Sequence, residues 1–300
     1  MSDVRFDGKT VIVTGGGGSL GRAYCLLFAS RGANVVVNDL GGSFSGEGAS
    51  KSAADKVVDE IVNAGGKAIA SYESVSEMAA AEKTIQAAID AFGRVDILIN
   101  NAGILRDKSF NNMTEDDWDK IFEVHVKGAF CMTKAVWPHF REQSYGRVIM
   151  TSSAAGIYGN FGQANYSAAK LALVGMTQTL AIEGKKYNIN CNAIAPVARS
   201  RMTETVMPPA LLEKLRPEAV APLVGWLCSE ECKESGSLFE VGAGRFFKLG
   251  WLRTKPYKSS NEEGVATLEE LRDNWKTVTD FSDAKQVKNI QESTMAFMSK

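Results

Sequence analysis

The sequence is poor in the residues that most directly announce chemistry. Of its 300 residues only two are histidines, His125 and His139, and five are cysteines. Cys25, Cys131, Cys191, Cys228 and Cys232 stand apart among apolar neighbours and form no CxxC pair and no Cys/His cluster. That scatter excludes the ligand spacing of a zinc site and gives no disulfide framework; buried free thiols in a reducing compartment are expected, and no metal. An excess of either charge is also missing. Lys and Arg number 34 against 35 Asp and Glu, a net charge of -1, so neither nucleic acid nor an anionic membrane surface is expected as a partner. No apolar run approaches the roughly 18 residues that a membrane helix needs. Met1–Arg5 lacks the apolar core of a signal peptide, and a soluble, cytoplasmic protein is the default expectation. Internal repeats and low-complexity segments are absent as well.

What is present is an ordinary globular composition, 45% hydrophobic and 23% charged, on a chain long enough for one large domain. Short β-branched runs alternate with longer helical patterns over about the first 245 residues. The runs read as strands are Thr10–Thr14, Asn34–Asn38, Lys67–Ser71, Val95–Asn100, Arg147–Ser152, Asn188–Ala195 and Leu238–Val241. Between them Leu20–Ser30, Ser52–Ala64, Ala79–Phe92, Trp118–Phe140 and Asn165–Lys186 read as helices. Most strand runs are continuously apolar, as strands covered on both faces are. The pattern predicts an α/β fold, a doubly wound, mostly parallel sheet of the Rossmann type, with ligands beyond the carboxyl ends of the strands. From about Arg245 the pattern changes to a mixed aromatic and basic run, a loop at Asn261–Gly264 and a helix over Thr267–Thr277. Residues 1–245 are therefore expected to form a single dinucleotide-binding and catalytic domain, and 246–300 a C-terminal extension packed on it or on a second subunit.

Thr14-Gly15-Gly16-Gly17-Gly18-Ser19-Leu20-Gly21 follows the first strand and opens the first helix. Glycines there allow a tight turn and close approach of the backbone to a pyrophosphate, which then meets the exposed N–H groups of a helix N-terminus. No Gly-Lys-Ser/Thr follows, which excludes a P-loop. Asp39 ends the second strand, where a carboxylate accepts hydrogen bonds from the adenosine ribose and repels a 2′-phosphate. NAD is expected over NADP, with Arg22 beside the glycine turn as the one feature arguing the other way. Asn100-Asn101-Ala102-Gly103 ends the fourth strand with small residues that admit a nucleotide, and Ser74-Val75 would flank the adenine.

Tyr166 and Lys170 lie four residues apart on one helical face. A free phenol titrates near ~10, too high for a base at neutral pH. A neighbouring ammonium favours the phenolate, so Lys170 is expected to lower it; Lys170 can also hold the nicotinamide ribose. Ser153, thirteen residues before Tyr166, can hold a substrate oxygen against it. Such a Tyr-Lys pair alone often only decorates a helix, and the strand-end serine gives it weight.

With these residues on the page, the sequence resembles the classical short-chain dehydrogenase/reductase family. The glycine turn, Asn100–Gly103, Ser153, Tyr166, Lys170 and Ile194-Ala195-Pro196 fall in family order, with Ser19 standing where the family turn has its middle glycine. The resemblance implies that Ile194 contacts the nicotinamide carboxamide through its backbone. It also implies a fourth catalytic position at His125, where the family usually has asparagine; His125 can act through its ring or its carbonyl, or simply pack. His139 reads as structural. Longer stretches, Val37–Gly42, Asn101–Asp107, Gly156–Tyr166 and Arg201–Pro208, with Leu271–Trp275 and Asn289–Thr294 in the tail, are similar to one branch of the family, the (3R)-hydroxyacyl-CoA dehydrogenase portions of peroxisomal multifunctional enzymes. That likeness implies an acyl-CoA substrate, a homodimer and a peroxisomal location, although Met298-Ser299-Lys300 is one residue short of an SKL-like address. Tyr158 and Phe161 can line the acyl pocket or pack their loop. The alternatives are a steroid or other hydrophobic-alcohol dehydrogenase on the same machinery, and a non-catalytic NAD-binding sensor or scaffold.

Overall fold

The computed structural model describes the whole chain except residues 1–2, 44, 49, 200–212, 262–263 and 299–300. Within it, the Arg201–Pro208 stretch and Ser299-Lys300 lie outside the described residues. Strands form where the β-branched runs predict them: β1 (Thr10–Thr14), β2 (Asn34–Asn38), β3 (Lys67–Ser71), β4 (Ile97–Asn100), β5 (Gly146–Thr151), β6 (Ile189–Pro196) and β7 (Leu238–Gly242). An eighth, β8 (Arg245–Leu249), completes a sheet of order β3-β2-β1-β4-β5-β6-β7-β8 among the described residues. Neighbours from β3 through β7 run parallel. Ala243 and Gly244, both with positive φ (48° and 72°), turn the chain back into β8. Two such residues suit the tight hairpin whose twist matches its strands.

The order reverses between β1 and β4, which opens a crevice at their carboxyl ends. The crossing helices are α1 (Ser19–Ser30), α2 (Ser52–Asn63), α3 (Met78–Phe92), α4 (Glu115–Phe122), α5 (Gly128–Gln143), α6 (Ala154–Tyr158), α7 (Ala164–Gly184) and α8 (Ala221–Cys228). Val11, Val13, Val35, Val37, Ile97 and Ile99 join Tyr24 and Phe28 of α1, Val57 and Ile61 of α2, and Val224 and Leu227 of α8 in one buried core. Alternate residues of the same strands, Ile12, Val36 and Leu98, are equally buried and by the two-residue period face the opposite layer. The five cysteines are buried and free. Among the described residues no helix is long and apolar enough to cross a membrane, and no cluster of His, Cys, Asp and Glu is placed to hold a metal.

The helix expected over 118–140 begins earlier and is interrupted. Thr114 caps it in a reciprocal box with Asp117, and Asp117 also meets Lys108 at 2.8 Å. Those donors hold the Asp117 carboxyl at about 2. Glu123–Lys127 then forms a π-turn between α4 and α5 and carries His125 inward. The short α6 and the all-apolar α8 have too little periodicity to be read from sequence.

Residues 249–300 form a second compact unit after residues 1–248. In it β9 (Leu252–Arg253) pairs antiparallel with β10 (Lys285–Gln286), beside α9 (Leu268–Asp273), α10 (Trp275–Val278) and α11 (Ile290–Met298). Thr267 caps α9. Glu270 gathers Tyr257 Oη and Ser260 N, each at 2.8 Å, and Ser259 Oγ at 3.0 Å. These donors hold its carboxyl down at about 2.

At the amino ends of the strands, the fully buried Asp96 accepts from Thr10 N at 2.9 Å and from both Nε and Nη2 of Arg94 at 2.9 and 2.6 Å. Asp96→Ala is expected to lower the unfolding free energy by about 2 kcal/mol, because a buried N–H loses its acceptor. Asp7→Ala, which breaks only the exposed Arg5–Asp7 pair, should leave it nearly unchanged, because solvent screens that pair. Urea unfolding of both variants checks the contrast.

Candidate active site

The glycine turn leaves β1 at the crevice. Gly15 takes φ +63°, and a Cβ there would sit 3.0 Å from Ala102 Cα. A Cβ on Gly21 would lie 2.1 Å from the Gly15 carbonyl oxygen, so the turn closes on α1 only without side chains. Gly18 caps α1 with no side-chain bond, and no acidic residue stands in the first turn. Ser19, exposed, and Leu20 are the first residues of α1. A glycine cradle ending on uncapped helix N–H groups fits a pyrophosphate.

Asp39 faces this turn. Its Oδ2 accepts from Gly17 N at 2.9 Å and its Oδ1 from Gly41 N at 2.7 Å, so it caps its own loop and braces the glycine turn together. Arg22 points elsewhere, with Nε 3.0 Å from Glu60 Oε1, and is committed to α2 rather than to the crevice. Beyond β4, Thr14 Oγ1 accepts from Asn101 N at 2.9 Å and Ala102 N at 3.0 Å, while Asn101 Nδ2 donates to Thr14 O and Gly15 O at 2.9 and 3.2 Å. Ser74 contacts Ser76. Val75 joins Thr14, Asn100, Ala102, His125 and Lys170 around a cavity with room for about one water.

Tyr166 and Lys170 rise from the start of α7 against the end of β5. Lys170 is buried and donates from Nζ to Thr151 O at 2.7 Å, with Nζ 5.4 Å from the centroid of the Tyr166 ring. Burial lowers its ammonium to about 7. Burial likewise raises the Tyr166 phenol to about 12, opposed by a hydrogen bond with Ser153. Desolvation, rather than the cation expected to lower the phenol, is the largest influence on both groups. Ser153 caps α6 by accepting from Ala155 N at 3.2 Å, which fixes its hydroxyl at the strand end. A phenol, an ammonium and a hydroxyl thus converge beside the glycine turn, an arrangement that can move a proton on and off an alcohol oxygen.

A family profile described as short chain dehydrogenase matches residues 9–210. The chain belongs to the short-chain dehydrogenase family. It is 59% identical over 293 residues to the peroxisomal multifunctional enzyme type 2 of Mus musculus, covering 98% of this chain and 40% of that protein. The full-length peroxisomal multifunctional enzyme type 2 of Drosophila melanogaster has a similar structure (TM-score 0.83, 42% identity, 98% of this chain and 49% of that one). A 7α-hydroxysteroid dehydrogenase solved with NADH and 7-oxo glycochenodeoxycholic acid is similar over 81% of this chain and 98% of its own (TM-score 0.73, 29% identity). The chain therefore spans about half or less of these two multifunctional relatives.

In this short-chain dehydrogenase His125 is a packed residue as well as a site residue. Its Nε2 lies 2.8 Å from Ile104 O and 3.1 Å from Ile104 N, and its ring stands edge-on to Tyr166 at 5.3 Å. A Cβ on Gly103 would lie 2.4 Å from His125 Cε1. Nδ1 is buried without a protein partner, and burial holds the ring neutral, well below its ordinary pKa. The Ile194 side chain lies in the core, and its carbonyl accepts from Ser152 N at 2.7 Å where the chain leaves β5. Tyr158 and Phe161 are 65% and 89% exposed, and Tyr158 Oη donates to Glu240 at 2.8 Å; neither packs its loop onto the core.

Asn165 is the residue that motif reading passes over. Fully buried, it donates from Nδ2 to Asp117 O at 2.9 Å and Arg106 O at 3.1 Å and accepts from Tyr166 N at 2.8 Å. Gln163 likewise donates to Asp107 at 2.7 Å. A polar residue adjoining Tyr166 at a helix start is the available signal.

Gly21→Ala is expected to weaken NADH binding by at least about tenfold, since the turn must open to admit a methyl group; fluorescence titration measures it. Lys170 gives a pH test. Its folded pKa of about 7 lies below the unfolded value of 10.5, so the folded state resists protonation and loses stability as pH falls from 10.5 towards 7. Lys170→Met should raise the thermal midpoint at pH 7 and lose that advantage by pH 10.

Proposed function

We propose that this chain oxidises a (3R)-3-hydroxyacyl-CoA to the 3-ketoacyl-CoA with NAD, an oxidative step of fatty-acid β-oxidation. The observation that carries the chemistry is the convergence of Tyr166, Lys170 and Ser153 at the carboxyl end of β5, where Lys170 lines a cavity together with Thr14 at the start of the glycine turn. The extensive likeness to peroxisomal multifunctional enzymes supports the substrate class. NAD is favoured over NADP because Asp39 braces the glycine turn with a carboxylate while Arg22 is held by Glu60.

In this reading Gly15, Ser19, Leu20 and Gly21 hold the pyrophosphate, and Asp39 accepts from the adenosine ribose. Ser74 and Val75 flank the adenine, Asn101 to Gly103 line the ribose side, and Lys170 holds the second ribose. When bound, the nicotinamide accepts the hydride from C3 of the substrate. Ser153 donates a hydrogen bond to the C3 oxygen and fixes it against Tyr166. Tyr166 takes the hydroxyl proton, its phenolate favoured by the Lys170 ammonium. His125 holds Ile104 and the Tyr166 ring in register. Tyr158 and Phe161 offer an open apolar rim to the acyl chain. We place the protein in the peroxisome as a homodimer on the same likeness, with residues 246–300 as an extension of the catalytic domain.

A steroid alcohol is the second reading, favoured by the likeness to the 7α-hydroxysteroid dehydrogenase. Incubation with NAD and each 3-hydroxyacyl-CoA enantiomer, followed by NADH absorbance, tests the proposal. Turnover of the (3R) form alone is expected; turnover of steroids and of neither acyl-CoA form would overturn it. Tyr166→Phe should lower kcat by about a thousandfold while NADH binding persists. Because the phenol titrates near 12, its base form grows as pH rises, and the oxidation rate should climb through the neutral and alkaline range.

A further inference from the structure

The segment between Asp39 and α2 is far longer than a strand-to-helix connection requires, and it is closed on itself. Ser50 N donates to Leu40 O at 3.0 Å, Ser43 N to Glu47 O at 2.7 Å and Gly46 N to Ser43 O at 3.1 Å. At the neck, a Cβ on Gly41 would fall 1.8 Å from Ser50 O. Asp39 anchors the segment's start through Gly41 N. Its tip is held elsewhere: Arg106 Nε donates to Ser45 O at 3.3 Å, and Gly46 packs on Ile104, whose side-chain atoms would come within 3.0 Å of a Cβ there. Arg106 is itself fixed by Asp116.

The sheet order gives this contact its meaning. The segment starts at the end of β2 and docks on the residues that follow β4, and β1 lies between those two strands. With strands about 4.8 Å apart, the segment spans roughly 10 Å across the carboxyl end of β1, where Gly15–Gly21 stand.

We propose that the described residues of this segment, 40–43, 45–48 and 50–51, form a strap across the dinucleotide crevice, latched by Arg106 and Ile104, that must lift for the dinucleotide to enter and leave. The inference rests on the dinucleotide reading above and adds to it a gate on exchange. The strap is tied to both sides of the crevice: through Asp39 to the glycine turn, and through Ile104 to His125, which stands against Tyr166.

The geometry offers a reversible lock. A Cβ on Gly46 would lie 3.8 Å from Ile104 Cβ, close to the mean separation of about 3.8 Å in a disulfide, and the chain's own cysteines are all buried. The G46C/I104C double variant, loaded with NADH and then oxidised, is diluted into excess NAD while the fluorescence of bound NADH is followed. Release slower than in the reduced form by at least about tenfold, restored by a reductant, is expected of a strap that gates exchange. Equal release rates with the disulfide verified by thiol titration would overturn the strap alone. Wild-type protein that binds no NADH would overturn the dinucleotide reading and the strap with it. Should the double variant not fold, Gly46→Val, which pushes the tip off Ile104, is expected to release NADH several-fold faster than wild type; an unchanged rate would overturn the proposal.

Discussion

The site is held together by the knot between the ends of β1 and β4. Thr14 Oγ1 receives two successive backbone N–H groups, from Asn101 and Ala102, and the Asn101 amide reaches back to two carbonyls of the glycine turn. These bonds join the two loops on either side of the topological switch, so the crevice has fixed walls before anything enters it. From Asn101 the chain passes through Gly103, which has room only for a hydrogen against His125, and Ile104, which bonds the same ring. The ring stands against Tyr166. A run of short contacts therefore connects the phosphate turn to the phenol, and both ends of a dinucleotide site are referred to one hydroxyl group.

Burial sets the electrostatics of the opposite end. Lys170 and Tyr166 are each pushed toward neutrality, the ammonium down and the phenol up, with burial as the largest influence on both. The phenolate of Tyr166 is therefore scarce at neutral pH and grows as pH rises.

Much of this was legible in the residues. The glycine turn, Asp39, Ser153, Tyr166 and Lys170 carry their chemistry in side-chain type and spacing, and the strand runs are apolar enough to be seen one by one. The elements that escaped are those whose cause is tertiary. α8 is apolar even where it is exposed, at Pro222 and Trp226, while Val224 and Leu227 lie in the core, so it shows no helical period. β8, with Arg245, Phe246, Phe247 and Lys248, is an edge strand with an exposed run and no alternation to read. Asn165 looks like a spacer in a motif, and its importance lies in three bonds to residues up to 59 positions away.

The π-turn at Glu123–Lys127 inserts one residue more than a regular helix would use between α4 and α5. One extra residue advances a helix by about 100°, so the faces of α4 and α5 are out of phase. α4 is thereby free to lean on α7, the helix that carries Tyr166 and Lys170, while α5 lies along β4, β5 and α3. A single length of helix thereby meets α7 with its first part and the sheet with its second, as a crankshaft serves two cylinders. Deleting any one residue from that turn would leave a smoother helix and spoil one of the two alignments.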